Sequence, residues 1–147
     1  YGTKLSQQQF YFGSISKDFR EEKISRFFSR YNSPLRLHAS TFLKASEENG
    51  IDYRLLVAIA GQESTFGKHI PKYSPFNVFG YGCSTSYNCI VFSSYEEGIH
   101  RVAKAIGRGR TYARYQKSRE LRDFAQVYNP NSSEYESKLK YFIEKIK

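Results

Sequence analysis

Between Asp52 and Gly67 the chain reads DYRLLVAIAGQESTFG, in which the apolar run LLVAIAG leads through Gln62 to a glutamate. Asp52 is suited to cap a helix, Leu55, Leu56, Ile59 and Ala60 follow one stripe of it, and Gly67 stands where its end would close. Glu63 falls on the same stripe, four residues after Ile59, so the helix carries its carboxylate towards the buried face. Burial disfavours a charged carboxylate, and the negative end of the helix dipole opposes an anion in the last turn. Both effects raise the pKa of Glu63. The alternative is a glutamate that turns out to solvent or pairs with Lys68, because perturbed carboxylates also occur in structural networks.

The remaining pattern is mostly helical. Ile24, Phe27, Phe28 and Tyr31 recur with helical spacing and form one apolar face. Ser33 is a predicted N-cap with Pro34 at the first helical position, and Asn49-Gly50 ends that segment. Ser94 and Glu97 have the spacing of a capping box, followed by Ile99, Val102, Ala103 and Ile106 and a stop near Gly107. Ser118 opens a segment with Leu121, Phe124, Ala125 and Tyr128 on one face, stopped by Asn129-Pro130. Ser133 and Glu136 repeat the box before a last helix with Tyr135, Leu139, Phe142, Ile143 and Ile146. Residues 71 to 92 differ: they hold Pro71, Pro75, the glycines of FGYGC and a β-prone CIVF, which predicts a hairpin or irregular segment around residues 76–92. Residues 1–15 show no period and are predicted to be an arm or linker remnant. The expected fold class is therefore mostly α, five or six helices in one domain over residues 16–147.

A chain of 147 residues is long enough for one core. No run is long and apolar enough to span a bilayer, so the chain as given is expected to be soluble. It begins at Tyr1 and contains no Met, which suggests a mature or trimmed piece. The net charge of +9 favours an anionic partner such as nucleic acid, anionic lipid or cell-wall polymer, although it equally serves solubility. Arg108, Arg110, Arg114 and Lys117 make the tightest basic cluster. No helix concentrates Lys and Arg on one face as nucleic-acid recognition requires, so nucleic acid is not an expected partner. Cys83 and Cys89 enclose STSYN, a stretch suited to a turn. A disulfide there would fit an oxidising, extracytoplasmic setting, and two free thiols are the alternative. His38, His69 and His100 show no metal-ligand spacing with this pair, and no phosphate loop or dinucleotide fingerprint is present, so no cofactor is expected.

A raised carboxyl in a cleft is the equipment for general acid catalysis of glycoside cleavage. A second carboxylate is harder to find. Glu96 and Glu97 are explained as first-turn residues, Asp52 as a cap, and Asp123 falls outside the stripe of Leu121, Phe124 and Tyr128. Tyr81 and Tyr112 are candidate platforms for a sugar ring, Asn77 is an ordinary turn residue after Pro75, and Tyr128 is equally a core residue.

The motif ESTFG at residues 63–67, at the end of the helix LLVAIAGQ, resembles the catalytic Glu-Ser motif of the lysozyme-like superfamily. Within it the chain looks most like the soluble lytic transglycosylases related to goose-type lysozymes. NVFGYG at residues 77–82, FSSYEEGI at 92–99 and VYNP at 127–130 match further segments of that superfamily in order. The chain lacks the family's glycine-leucine-methionine-glutamine string, and Pro130 follows Asn129 where small residues are usual. The resemblance implies that Glu63 is the general acid and then the base, and that Ser64 contacts sugar. It also implies that Tyr128 hydrogen-bonds Glu63, that Asn129 shapes the cleft and that Gly80 lets glycan approach the backbone, with Asn77 in the same cleft segment. The implied activity is cleavage of the β-1,4 glycan of bacterial peptidoglycan by lytic transglycosylation. The alternatives are a hydrolytic muramidase or N-acetylglucosaminidase, and a non-catalytic wall-binding module. The implied partner is the peptidoglycan strand, met outside the cytoplasm by a secreted or envelope-associated monomer.

Overall fold

The computed structural model describes residues 19–147 apart from Ser86. The expected arm over residues 1–15 lies outside the described residues. Helix α1 covers residues 19–30 and buries Ile24, Phe27 and Phe28. Ser33 then caps a 3-10 turn, Pro34–His38, by accepting from the Leu35 N–H, and this runs into α2, Ala39–Asn49. Gly50 ends α2 in the left-handed conformation, with φ 64°. α3 is Tyr53–Ser64, α4 Tyr95–Arg108, α5 Ala113–Ser118, α6 Leu121–Tyr128 and α7 Tyr135–Lys145. This is the mostly helical domain that the pattern predicts.

α3 lies at the centre, packed against α2 on one side and α7 on the other. Asp52 caps it as predicted, accepting from the Arg54 N–H at 2.9 Å. The expected single stripe is too narrow, because Val57, Ala58 and Gly61 are buried along with Leu55, Leu56, Ile59 and Ala60. A helix apolar all round is a core helix rather than a surface one.

Several predicted boundaries move by a few residues, each for a local reason. α3 closes at Thr65, not at Gly67: the Thr65 N–H reaches the Gly61 carbonyl and the Phe66 N–H reaches that of Ala60. α4 ends at Arg108, at the predicted stop near Gly107. Ser118 ends α5 instead of opening α6, and its hydroxyl accepts from the Glu120 N–H. α5 itself is too short to show a period, which is why no stripe announces it. The Ser133–Glu136 box does not form, since Glu134 holds the N-cap position without a side-chain bond. At α4 the Ser94 hydroxyl does accept from the Glu97 N–H, while the Glu97 carboxylate reaches back to Ser93. Among the described residues no strand forms. The segment predicted as hairpin or irregular is irregular, with one isolated bridge between Thr85 and Asn88, and CIVF is not a strand.

The predicted basic cluster is partly consumed by the fold. Arg108 donates to the Glu48 carbonyl and the Asn49 side chain at the end of α2, and Arg114 pairs with Asp123 at 2.8 Å. Cations at a helix C-terminus satisfy its free carbonyls and its dipole. Asp123, outside the stripe of Leu121, Phe124 and Tyr128, is nonetheless buried.

α2 and α4 approach so closely at Gly107 that a Cβ there would lie 2.1 Å from the Asn49 carbonyl oxygen. A backbone atom cannot rotate out of the way. Gly107→Ala is therefore expected to lower unfolding stability by about 2 kcal/mol, as overpacking does, read by denaturant titration.

Candidate active site

The end of α3 is built by three successive left-handed residues, Thr65, Phe66 and Gly67, with φ of 50°, 58° and 79°. Left-handed backbone is uncommon for threonine and phenylalanine, so neighbouring contacts must hold it. The Ser64 hydroxyl donates to the Ala60 carbonyl at 2.9 Å and accepts from the Gly67 N–H at 2.8 Å. Ser33 donates to the Phe66 carbonyl at 2.7 Å. The turn sends Phe66 back over Gly61, where only a glycine leaves room: a Cβ would sit 2.4 Å from the ring. Phe66 is then seated among Phe27, Phe28, Tyr31 and Phe142. Ser64 is thus buried and committed to the turn, in place of the sugar contact that the resemblance implies.

Glu63, two residues before Thr65, is half-buried and lines a cleft of about 610 Å³. The cleft is walled by Lys68, His69, Ile70 and Pro71 on one side and by Gly80, Cys83, Thr85 and Cys89 on the other. Clefts of a few hundred Å³ are the usual size for a small ligand. Gly80, with φ 59°, packs so tightly on the carboxylate that a Cβ would stand 2.9 Å from Glu63 Oε2. Its glycine character here admits the acid itself.

The other carboxylate oxygen, Oε1, accepts from the Tyr135 hydroxyl at 2.7 Å. The resemblance assigns that bond to Tyr128, but Tyr128 donates instead to the Phe79 carbonyl at 2.6 Å. The two rings are parallel, 6.0 Å apart and 4° between planes, so Tyr128 backs Tyr135 and Tyr135 holds the acid. Tyr135 is fully buried at the start of α7. Its spacing marks only a core residue; the one available signal is that a buried phenol needs a hydrogen-bond partner.

The remaining candidates divide. Cys83 and Cys89 form a disulfide and face the cleft. Asn77 is fully buried, donating to the Tyr81 and Ile90 carbonyls and accepting from the Tyr81 N–H, so it ties the loop together away from any ligand. Tyr112 is buried and stacked on Phe124, and burial pushes its hydroxyl up to about 12, so it is no open platform. Tyr81 is half-buried against the core. Asn129 lines a separate depression with Arg122, Gln126 and Glu136. Lys68, His69 and Thr85, which line the cleft, carry no sequence signal that separates them from ordinary loop residues. Among the described residues no three His, Cys, Asp or Glu side chains cluster as a metal site would.

Burial raises Glu63 above its ordinary value of 4.5, and the Tyr135 hydrogen bond opposes this with a smaller effect. The other considered acids go the opposite way or are committed. Glu97 is lowered by its hydrogen bonds to Ser93, Glu96 is lowered at the start of α4, and Asp52 caps α3. Residues 64–95 contain no Asp or Glu, so Glu63 is the acid that the cleft wall presents. Glu63 is thus pushed towards its neutral, proton-carrying form while Glu96 and Glu97 are lowered, the kind of separation that acid–base sites use.

The folded chain holds the Glu63 proton more tightly than the unfolded one. This group therefore favours folding below pH 4.5, and that contribution is lost as pH rises through the raised folded pKa. Glu63→Gln is expected to raise the melting temperature at pH 7, with the gain disappearing below pH 4.5, read by calorimetry at both values. A gain that is the same at both would remove the buried carboxylate as its source.

A family model described as mannosyl-glycoprotein endo-beta-N-acetylglucosaminidase, Glucosaminidase, matches residues 39–147. No protein of curated function and no solved structure matches the chain. The match places the chain among lysozyme-like, wall-cleaving enzymes and carries no transglycosylase assignment.

Proposed function

The chain belongs to the glucosaminidase family, a lysozyme-like family of peptidoglycan-cleaving glycosidases, and from that premise we propose that it cuts the β-1,4 bond on the reducing side of N-acetylglucosamine in peptidoglycan. The observation that carries this reading is Glu63: a half-buried acid of raised pKa, held by Tyr135, opening on a cleft of about 610 Å³. In this reading Glu63 gives its proton to the glycosidic oxygen as the C1–O bond breaks. Water then adds at C1, and its proton returns to the Glu63 carboxylate.

The attacking group is supplied by the substrate or by water, because the segment that walls the cleft has no second acid. The acetamido oxygen at C2 of N-acetylglucosamine is placed to hold C1 until water arrives, as in substrate-assisted glycosidases. The same observation favours a second reading, lytic transglycosylation at the muramic residue. There the C6 hydroxyl attacks C1, its proton passes to Glu63 and a 1,6-anhydro end results. Action on the wall implies an extracytoplasmic setting, with which the Cys83–Cys89 disulfide agrees. No helix among the described residues is long and apolar enough to cross a membrane.

Mass spectrometry of the soluble products of purified peptidoglycan tests both readings. Reducing N-acetylglucosamine ends are expected; anhydro-muramic ends would establish the second reading, and reducing muramic ends would make the enzyme a muramidase. Glu63→Gln is expected to reduce the rate by about 100- to 10,000-fold, the usual contribution of a general acid. Equal product from both proteins would overturn the catalytic role.

Tyr135→Phe removes a hydrogen bond that favours the charged form of Glu63. The carboxyl pKa then rises further, so the alkaline limb of the kcat profile is expected to move to higher pH. An unmoved limb in a folded variant would show that Tyr135 does not set the acid.

A further inference from the structure

The cleft has one wall whose charge the proposed reaction does not use. Residues 64–95 contain no acid but include Lys68, His69 and Lys72, all exposed. Lys68 and His69 line the cleft beside Glu63. Among the described residues none of the three pairs with an acidic group. Elsewhere the cations are largely engaged: Arg54 with Asp52, Arg108 with the end of α2, Arg114 with Asp123.

This wall continues into two exposed rings. Lys72 and Tyr73 directly follow Pro71, a cleft residue, and the Lys72 ammonium sits 5.3 Å from the centre of the Tyr73 ring. Tyr87 lies between the cleft residues Thr85 and Cys89, and its ring is 6.2 Å from that of Tyr73. Tyr73 is 59% exposed and Tyr87 70%, so neither ring is occupied by the core. Water-facing tyrosines present an apolar face with a polar tip, the surface on which a sugar ring packs. The Cys83–Cys89 disulfide closes the loop that carries Tyr87, which limits how far the pair can separate.

We propose that Lys68, His69 and Lys72, together with the Tyr73–Tyr87 pair, form a subsite for a sugar that carries an acidic substituent. Tyrosine faces hold the ring, the Lys68 and Lys72 ammonium groups hold its carboxylate, and the His69 imidazole offers a hydrogen bond beside them. The site thereby selects strands bearing lactyl carboxylates over neutral N-acetylglucosamine polymers. This rests on the proposed glycan substrate, and it concerns recognition, not the bond that is cut.

Binding to the Glu63→Gln protein, which is expected to hold glycan without cutting it, separates the two questions. The probes are peptidoglycan strands freed of peptide, which expose a lactyl carboxylate on each muramic residue, and N-acetylglucosamine oligomers of equal sugar count. The strand with carboxylates is expected to bind more tightly. Adding Lys68→Gln and Lys72→Gln is expected to weaken that strand about 3- to 10-fold and leave the neutral oligomer unchanged, as loss of exposed charge pairs does. The preference is expected to vanish in 1 M salt, where charges are screened beyond about 3 Å. Tyr87→Ala is expected to weaken both probes alike, about threefold to tenfold, because stacking ignores charge, and Tyr87→Phe to restore them. Equal binding of the two probes by the Glu63→Gln protein, or equal losses for both in the lysine variant, would overturn the subsite. Products released by the wild-type chain report separately on the proposed cleavage.

Discussion

The arrangement depends on one turn, the left-handed run Thr65–Phe66–Gly67 that reverses the chain at the end of α3. It drives Phe66 into the space above Gly61 and so locks α3 to α1 and α7 through a cluster of rings. Because only Ser64 separates Glu63 from the turn, whatever holds Phe66 in the core also holds the carboxylate at the cleft. Strain in the backbone is offset by Ser64 and Ser33, whose hydroxyls satisfy the groups that the turn leaves free. The serine beside the acid is thereby used inside the turn.

A buried acid must be prevented from collapsing onto the nearest cation, and the fold achieves this with phenols. Tyr135 touches Glu63, Tyr128 stacks on Tyr135, and Phe124 and Tyr112 stand behind Tyr128. This layer desolvates the carboxyl, which favours the bound proton, while the Tyr135 hydroxyl gives the carboxylate a smaller, opposing stabilisation without an ion pair. Gly80 presses on the remaining oxygen from the opposite side. The carboxyl is therefore fixed in place while one face stays open to the cleft.

Local signals carried much of this. Asp52, Ser94, Gly50 and the Asn129-Pro130 stop are read from residue type alone, since caps and breakers act within a turn of the chain. Glu63 is legible because helical spacing puts it behind Ile59 and Ala60. Ser64, Asn77 and Tyr112 show where such reading fails: each is a polar or aromatic residue near a motif, and each is used inside the fold. The Tyr128–Tyr135 exchange has the same cause, for two tyrosines seven residues apart on different helices are indistinguishable until the helices are packed.

Sequence by itself determined the helical class, the caps of α3 and α4, the acid at the end of an apolar helix and the absence of a second acid between residues 64 and 95. Those depend on covalent order and on periodicity, which require no knowledge of distant neighbours. Tertiary structure alone decided which tyrosine holds Glu63, that Gly80 makes room for the acid, and that Lys68 and His69 share its cleft. Each of these joins α3, or the turn that closes it, to a segment well removed in the chain or turns on which side chains face one cavity. Such contacts follow from packing, where shape and burial choose among partners that the chain presents as equals.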